Sequence, residues 1–431
     1  MTPPTPDGIR ESLQRLRRDA GDLRRRPARE TLAALARVLD GWRDRASPWR
    51  RGLEDELPAC TGFSPENVRA GLDLALAPLS GDALHALVTR ELGGVASLEG
   101  SAGTLVRGFE TCAVLLAGAL PTPTLVALVA PLVLGSGVLA KTSLHDPVTA
   151  GWLARSLGEV DPGLGACLAV APFRGDDVAC TEALLEADCV VASGSDETIA
   201  RLRPRVLPPR RFVARGHRVS VAALGPEAVH GEPLASRAAG LALDVALWDQ
   251  LGCLSPVSVF AAGDRAAADR VAETLVEALE RAERRLPRGR LAPGAAAAVA
   301  REREEAEFRA AAGRDVRLLA GASWTVVREE DASPRPAPLH RFVRVVPVAG
   351  CAELLDALRP LGPHLAGVAL AGFGSESGDV ARSLGALGAS RLCAPGRMQA
   401  PPLAWHQDGQ GVLQPLARFT DLELGSDFPG M

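Results

Sequence analysis

Along residues 9–90, apolar side chains return every three or four positions. Leu32, Leu35 and Leu39 form one such row, and Val68, Leu72 and Leu76 form another. This is the spacing of helices that each bury one face. Pro48, Pro58 and Pro65 punctuate the rows, so several short helices are predicted. From about residue 100 the rhythm changes. Short, wholly apolar runs at 112–116, 138–140 (with Lys141 closing the strand), 167–170 and 189–192 alternate with segments at helical spacing. Strands covered on both faces are apolar throughout, and strand–helix alternation predicts a doubly wound parallel sheet. Thr122 and Pro123 predict the N-cap and first residue of a helix reaching 134. Further strands are predicted at 212–214 and 219–222. A second region opens near 231. It begins with an amphipathic helix over 234–250 that ends at Gly252. A strand at 257–260 follows, then a helix over 266–285 with Val271, Leu275 and Leu279 on one face. Another helix covers 293–313, and strands at 324–328, 342–347 and 367–371 complete the region.

One stretch imitates a membrane span. Residues 111–140 carry no charge, a length that crosses a bilayer. Pro121, Pro123, Gly135 and Gly137 cut it into strand-length and short-helix pieces, so a buried β-α-β unit is expected and no membrane span. The 431 residues accommodate two or three domains. The division read here is a helical region over 1–95, an α/β unit over 96–230 to which 395–431 return, and a second α/β unit over 231–394. A net charge of -4 supplies no field for nucleic acid. Tyrosine is absent, which removes it as acid, base or nucleophile. The eight cysteines form no Cys-x-x-Cys pair and the seven histidines are scattered, so no metal site is expected. The first 50 residues mix arginine with Glu11, Asp19, Asp22 and Glu30, unlike a transit peptide. Reduced thiols in the cytoplasm are expected.

Two residues stand out chemically. Of 48 lysines and arginines one alone is lysine, Lys141, and it ends the apolar run 137–140. A strand that delivers a compact cation to the carboxyl edge of a sheet has this form; a chance survivor of arginine-favouring composition has it equally. Cys253 lies in Trp248-Asp249-Gln250-Leu251-Gly252-Cys253-Leu254-Ser255-Pro256, between a helix end and a strand. A turn there holds a thiol clear of the core, with backbone N–H groups that favour thiolate and an oxyanion. Most of the other cysteines fall inside apolar strands. The Gly-x-Gly-x-x-Gly fingerprint is missing, since Gly135-Ser136-Gly137 precedes a strand instead of following one.

Five stretches in order carry a family likeness: Gly118 to Pro121, Lys141-Thr142-Ser143 with Asp146-Pro147, the run from Ala192 to Thr198, Gly216-His217-Arg218, and Asp249 to Pro256. Gly396-Arg397-Met398-Gln399 through Gly409 adds a sixth. In these the chain resembles the LuxC-like acyl-CoA reductases of the aldehyde dehydrogenase superfamily. The resemblance implies an aldehyde-dehydrogenase-like α/β fold, a cofactor domain beside a catalytic domain, and a homo-oligomer. It implies that Cys253 takes the acyl group from a fatty acyl-CoA or acyl-protein thioester and that NADPH reduces it to the aldehyde. It places Lys141 and Ser143 at the adenosine ribose or its phosphate, and Gly194 and Ser195 near the cofactor phosphates. NADP is preferred to NAD because Leu144 stands where NAD-using relatives often carry an acidic residue. Ala119, before Leu120 and Pro121, replaces the family's oxyanion-holding asparagine. The glutamate base of aldehyde-oxidising relatives is missing near Gly216-His217, which favours reduction; His217 is a candidate acid or a structural histidine. The alternatives are an impaired relative acting as acyl carrier or scaffold, motivated by Ala119, and an aldehyde oxidiser. The arginines between 201 and 218 are either a solvated face or a site for CoA phosphates or an acidic acyl-donor partner. His406 and Asp408 are placed near the substrate site.

Overall fold

The computed structural model describes residues 4–100 and 103–423. Its first part is helical: α1 (Pro6–Arg25), α2 (Ala28–Arg43), α3 (Pro48–Thr61), α4 (Pro65–Leu76), α5 (Gly81–Leu92) and α6 (Val95–Glu99). Pro48 and Pro65 begin helices, where a missing N–H costs nothing. Next come β1 (Thr104–Gly108), β2 (Thr111–Leu115), α7 (Pro121–Val133), β3 (Gly137–Lys141), α8 (Thr149–Val160), α9 (Pro162–Ala166), β4 (Leu168–Ala171), α10 (Val178–Leu184), β5 (Cys189–Ser193), α11 (Asp196–Leu202) and β6 (Arg211–Arg215). The uncharged stretch is therefore β2-α7-β3, and among the described residues no helix is long and apolar enough to cross a membrane. The helix α7 starts at Pro121 with Leu120 as its cap residue, so Thr122 lies inside the helix and does not cap it.

The five-stranded sheet runs β4-β3-β2-β5-β6, parallel throughout. The chain leaves β2 in one direction and returns to its other side at β5. The carboxyl ends of β2 and β5 thus flank the point where strand order reverses, the place where open α/β sheets receive ligands.

The rest is β7 (Val219–Leu224), α12 (Gly231–Ala246), β8 (Pro256–Ala262), α13 (Arg265–Arg285), α14 (Pro293–Ala311), β9 (Arg317–Ala320), β10 (Thr325–Arg328), β11 (Phe342–Val348), α15 (Cys351–Leu358), β12 (Leu365–Ala371), α16 (Ser377–Leu387), β13 (Arg391–Cys393) and β14 (Ala417–Asp421). A seven-stranded sheet has the order β13-β12-β7-β8-β11-β10-β9. Here the structure corrects the reading that ends the cofactor unit at 230: β7 hydrogen-bonds to β8 and β12, in the second sheet. A strand's partners are nonlocal, and nothing in 219–222 names them. The returning segment pairs β14 antiparallel with β1; residues 424–431 of that segment lie outside the described residues.

The helical region is built into the molecule. Leu35, Leu53, Leu72 and Leu87 share one hydrophobic core with Leu125 of α7, Val114 of β2 and Trp248. On the opposite face of the first sheet, Ile9, Leu13 and Leu16 of α1 pack with Ala113 and Leu139. Gly137 permits that approach, because a Cβ there would lie 2.5 Å from the Leu16 carbonyl oxygen.

Candidate active site

The sequence pattern carries the helix before Cys253 through residue 250, but α12 stops at Ala246. Trp248, Asp249 and Gln250 take left-handed φ values of 56°, 48° and 66°. None is glycine, so each costs roughly 1–2 kcal/mol relative to the right-handed form, and the turn must be held from outside. Asn67 of α4 accepts from the Trp248 N–H at 2.8 Å and donates to the Ala246 carbonyl at 2.9 Å and to Asp249 at 3.2 Å. Arg341 donates to Asp249 at 2.6 and 3.0 Å and to the Ala246 carbonyl at 3.1 Å. Arg341 ends a second left-handed run, Leu339-His340-Arg341, with φ values of 65°, 58° and 67°. Gln250 bridges the two runs by donating to the Phe342 carbonyl at 2.9 Å and accepting from the Phe342 N–H at 2.8 Å. The Trp248 ring packs edge-on against Phe63, 5.6 Å between centroids, and over Gly71, where a Cβ would come within 2.3 Å of it. Beyond the turn, Ser220 of β7 donates to the Cys253 carbonyl at 2.7 Å.

The clamped turn places Cys253 on the floor of a cleft with about 1170 Å³ of atom-free space, part of it open to solvent. The walls are Leu120, Thr122, Pro123, Val126, Ala127 and Ala130 at α7, Val191 and Ser193 of β5, Val213 and Arg215 of β6, and the segment from Gln399 to Leu416. None of its lining residues is acidic. Cys253 is exposed, yet its thiol is pushed up to about 11, first by burial of the sulfur, then by the charge of Asp408; its own backbone N–H and Arg218 oppose this. The exposed surface decides whether a ligand reaches the sulfur, and the protein on its other sides decides its acidity. The expectation that backbone donors favour thiolate is therefore corrected: they are present, but desolvation outweighs them. Asp408 accepts from Arg218 at 2.7 Å and has Arg215 at 3.6 Å, while Arg215 donates to the Gln407 carbonyl at 2.7 Å.

The other residues singled out by sequence divide. Lys141 ends β3, buried, with its ammonium 5.9 Å from the Phe173 ring centre; burial lowers its pKa, against Asp176. Ser143 is buried and accepts from the His145 N–H at 3.0 Å. The Gly194 N–H donates to the Arg215 carbonyl at 3.1 Å, and Ser195 caps α11 by accepting from Thr198 N at 3.3 Å. These residues follow β3 and β5, two strands that flank β2. Ala119 is buried behind Leu120 and Pro121, and the Leu120 side chain lies beside Gly252, 3.1 Å from where a Cβ would be. His217 is exposed outside the lining of the Cys253 cleft, with its ring 6.3 Å from His364 and its backbone N–H on Asp196 at 2.9 Å. The arginine cluster is not one patch. Arg205 pairs with Glu182, Arg203 stacks on Phe212, Arg211 lies over Phe109, and Arg215 and Arg218 converge on Asp408. Of the pair placed near the substrate site, Asp408 acts on the Cys253 thiol through its charge, while His406 contacts Arg90 at 3.3 Å.

Residues 24–419 match the acyl-CoA reductase family LuxC. The chain belongs to that family. It is 26% identical over 332 residues to the long-chain acyl-protein thioester reductase of Aliivibrio fischeri, covering 74% of this chain and 67% of that one. It is 26% identical over 405 residues to the enzyme of the same name from Photorhabdus luminescens, covering 91% and 82%. The match to the Vibrio harveyi protein spans 64% of its length. Solved structures of the same fold include an NAD-dependent aldehyde dehydrogenase from Sinorhizobium meliloti, with TM-score 0.72 and 14% identity over 99% of this chain and 89% of that one. An NAD-dependent benzaldehyde dehydrogenase from Corynebacterium glutamicum gives 0.71 and 14% over 97% and 89%. The aldehyde-dehydrogenase-like α/β architecture expected from the sequence is thereby established.

Within this LuxC-family chain, sequence reading missed the residues that hold the turn before Cys253. Asn67 left one signal, an asparagine directly before Val68 in an apolar row, and the structure buries it fully. Arg341 left none, because arginine is everywhere in this sequence. Thr122 was read as a helix cap; instead its hydroxyl is buried beside the cleft without a hydrogen-bond partner.

Proposed function

We propose that this protein reduces a fatty acyl thioester, on CoA or on a carrier protein, to the aldehyde with NADPH. The observation that carries the reading is a reachable cysteine on the floor of an apolar cleft whose lining contains no carboxylate. No carboxylate lines the cleft to activate water on an acyl-enzyme, and Asp408, whose charge reaches the sulfur, is paired with Arg218 and Arg215, so hydrolysis, the step aldehyde oxidation needs, is unassisted. The Cys253 sulfur attacks the thioester carbonyl carbon, the bond to the donor sulfur breaks, and the cysteine's proton leaves with the donor thiol. The Cys253 backbone N–H faces the oxygen that takes up charge. NADPH, when bound, would supply the hydride that reduces the acyl carbon. The bond from that carbon to the Cys253 sulfur then breaks, the aldehyde departs, and the sulfur takes back a proton from solvent. The carboxyl edge of the five-stranded sheet suits a dinucleotide: Gly118 has φ 81° with open space where a Cβ would stand, and Lys141, Ser143, Gly194 and Ser195 follow neighbouring strands. Leu144, 62% exposed, offers no carboxylate to repel a ribose phosphate, which supports NADPH over NADH. A KM for NADH below that for NADPH overturns the cofactor choice.

Purified protein incubated with a long-chain acyl-CoA will gain the acyl mass, and NADPH will then discharge it as aldehyde. Cys253→Ala will lose both the adduct and the aldehyde; aldehyde from that variant defeats the mechanism. An adduct that NADPH does not discharge supports an acyl carrier instead.

Ala119 leaves this loop without the family's amide donor, and the Thr122 hydroxyl is the unpartnered side-chain donor beside the cleft. In the proposed reaction it assists the oxyanion. Thr122→Val will lower the acylation rate by about 100-fold at unchanged acyl-CoA KM. An idle hydroxyl would instead leave the rate intact and raise the melting temperature, since it has no bond to lose.

A further inference from the structure

The cleft above Cys253 does not end blindly. Leu79, Val126, Ala130, Leu403 and Val412 of its lining also border a second, apolar-lined space, a narrow gap of about 290 Å³ of atom-free volume, part of it open to solvent. The far side of that cavity is Leu39 of α2, Leu84 and Leu87 of α5, and Val129 of α7. The two spaces thus share a wall of five residues, and the second reaches α2 and α5 of the helical region. The part of the wall from the C-terminal segment is fastened by a buried carboxylate. Glu91 of α5 accepts from the backbone N–H groups of Val412, Leu413 and Gln414 at 2.8, 2.7 and 3.0 Å. Gly411 lies so close to Glu91 that a Cβ would stand 2.6 Å from it. A wall of branched side chains held by three charge-assisted hydrogen bonds is stiff, whereas the void behind it is empty of polar groups and suits only hydrocarbon.

We propose that this wall is the ruler for acyl chain length: the methyl end of the chain held on Cys253 abuts Leu79, Val126 and Leu403, and longer chains must part the wall and enter the cavity under α2 and α5. This rests on the acyl-enzyme reading above. It assigns the helical region and Glu91 a role in specificity: Glu91 is a positioning residue that acts through Val412 and Leu413.

The test is kcat/KM for saturated acyl-CoAs from hexanoyl to octadecanoyl with NADPH, in the native protein and in two variants that act oppositely. Leu403→Ala thins the wall and will move the optimum to chains longer by two or more methylenes, with about tenfold gain for the longest substrate. Val129→Phe fills the rear cavity and will cut the longest substrates about tenfold while leaving hexanoyl-CoA within twofold. Glu91→Gln, which keeps the shape and weakens the fastening, will flatten the profile without changing the NADPH KM. Melting temperatures identify any variant that fails to fold, and the Val129→Phe result stands independently of the other two. Unchanged chain-length profiles in the folded variants overturn the ruler while acyl-enzyme formation on Cys253 survives. Absence of any adduct in the native protein overturns the underlying reading.

Discussion

Replacing Arg341 by methionine will destabilise the protein by about 3–5 kcal/mol, the cost of leaving a buried charge without its partner. Arg341 is 1% exposed and Asp249 4%, and their contact at 2.6 Å closes the left-handed turn that leads to Cys253. Asp249 keeps Asn67 and the Gly289 N–H, which donates at 3.0 Å, but neither carries a charge. Urea unfolding followed by tryptophan emission reads the loss, because Trp248 sits in the turn. Adding Asp249→Asn to the variant will restore a large share of the stability, since it removes the stranded carboxylate. A loss below about 1 kcal/mol in the single variant would show that the turn holds itself. Asn67→Ala probes the same clamp from the helical side. It will lower the acylation rate more than the affinity for acyl-CoA, because the sulfur is misaimed while the apolar walls remain.

The second large effect is on pH. A thiol raised to about 11 holds on the order of one part in a thousand as thiolate at pH 8. The sign follows directly. The thiolate is the nucleophile, burial disfavours it, and so reactivity climbs with pH instead of levelling near neutrality. Alkylation of Cys253 by iodoacetamide, quantified by peptide mass spectrometry to separate it from exposed Cys60, will rise about tenfold per pH unit from 7 to near 10. A plateau below pH 8 would mean that the sulfur is solvated or paired with a cation, contrary to its surroundings. Asp408→Asn removes the negative charge that also raises this thiol and leaves Arg218 unopposed. At pH 8 its alkylation rate will therefore exceed that of the native protein severalfold. The same slope appears in acylation by acyl-CoA if thiolate formation limits that step.

The site was legible where its chemistry depends on residue type and failed where it depends on partners. Cys253 stood apart because its neighbours are polar and glycine-bearing while Cys112, Cys167 and Cys189 are buried in or beside strands. The strand ending in Lys141 was legible from five consecutive buried positions. The turn at 248–250 was not. Its residues fit a continuing helix by spacing, and what breaks that helix is Asn67, 181 residues upstream of Trp248, and Arg341, 92 residues beyond Asp249. Thr122 was misassigned for a related reason. A threonine before a proline is good cap chemistry, but Pro121 two positions after Ala119 starts the helix sooner.

Local pattern alone determined the helices of the first hundred residues and the alternating strands that follow, and it singled out Cys253, because burial period and turn chemistry are written residue by residue. Sheet membership of β7, the acidity of Cys253, the fastening of Val412 by Glu91 and the wall shared by two apolar spaces were decided only by the tertiary structure. Each of these depends on which distant groups surround an atom, and desolvation, charge and cavity shape are properties of that surrounding and not of the residue itself.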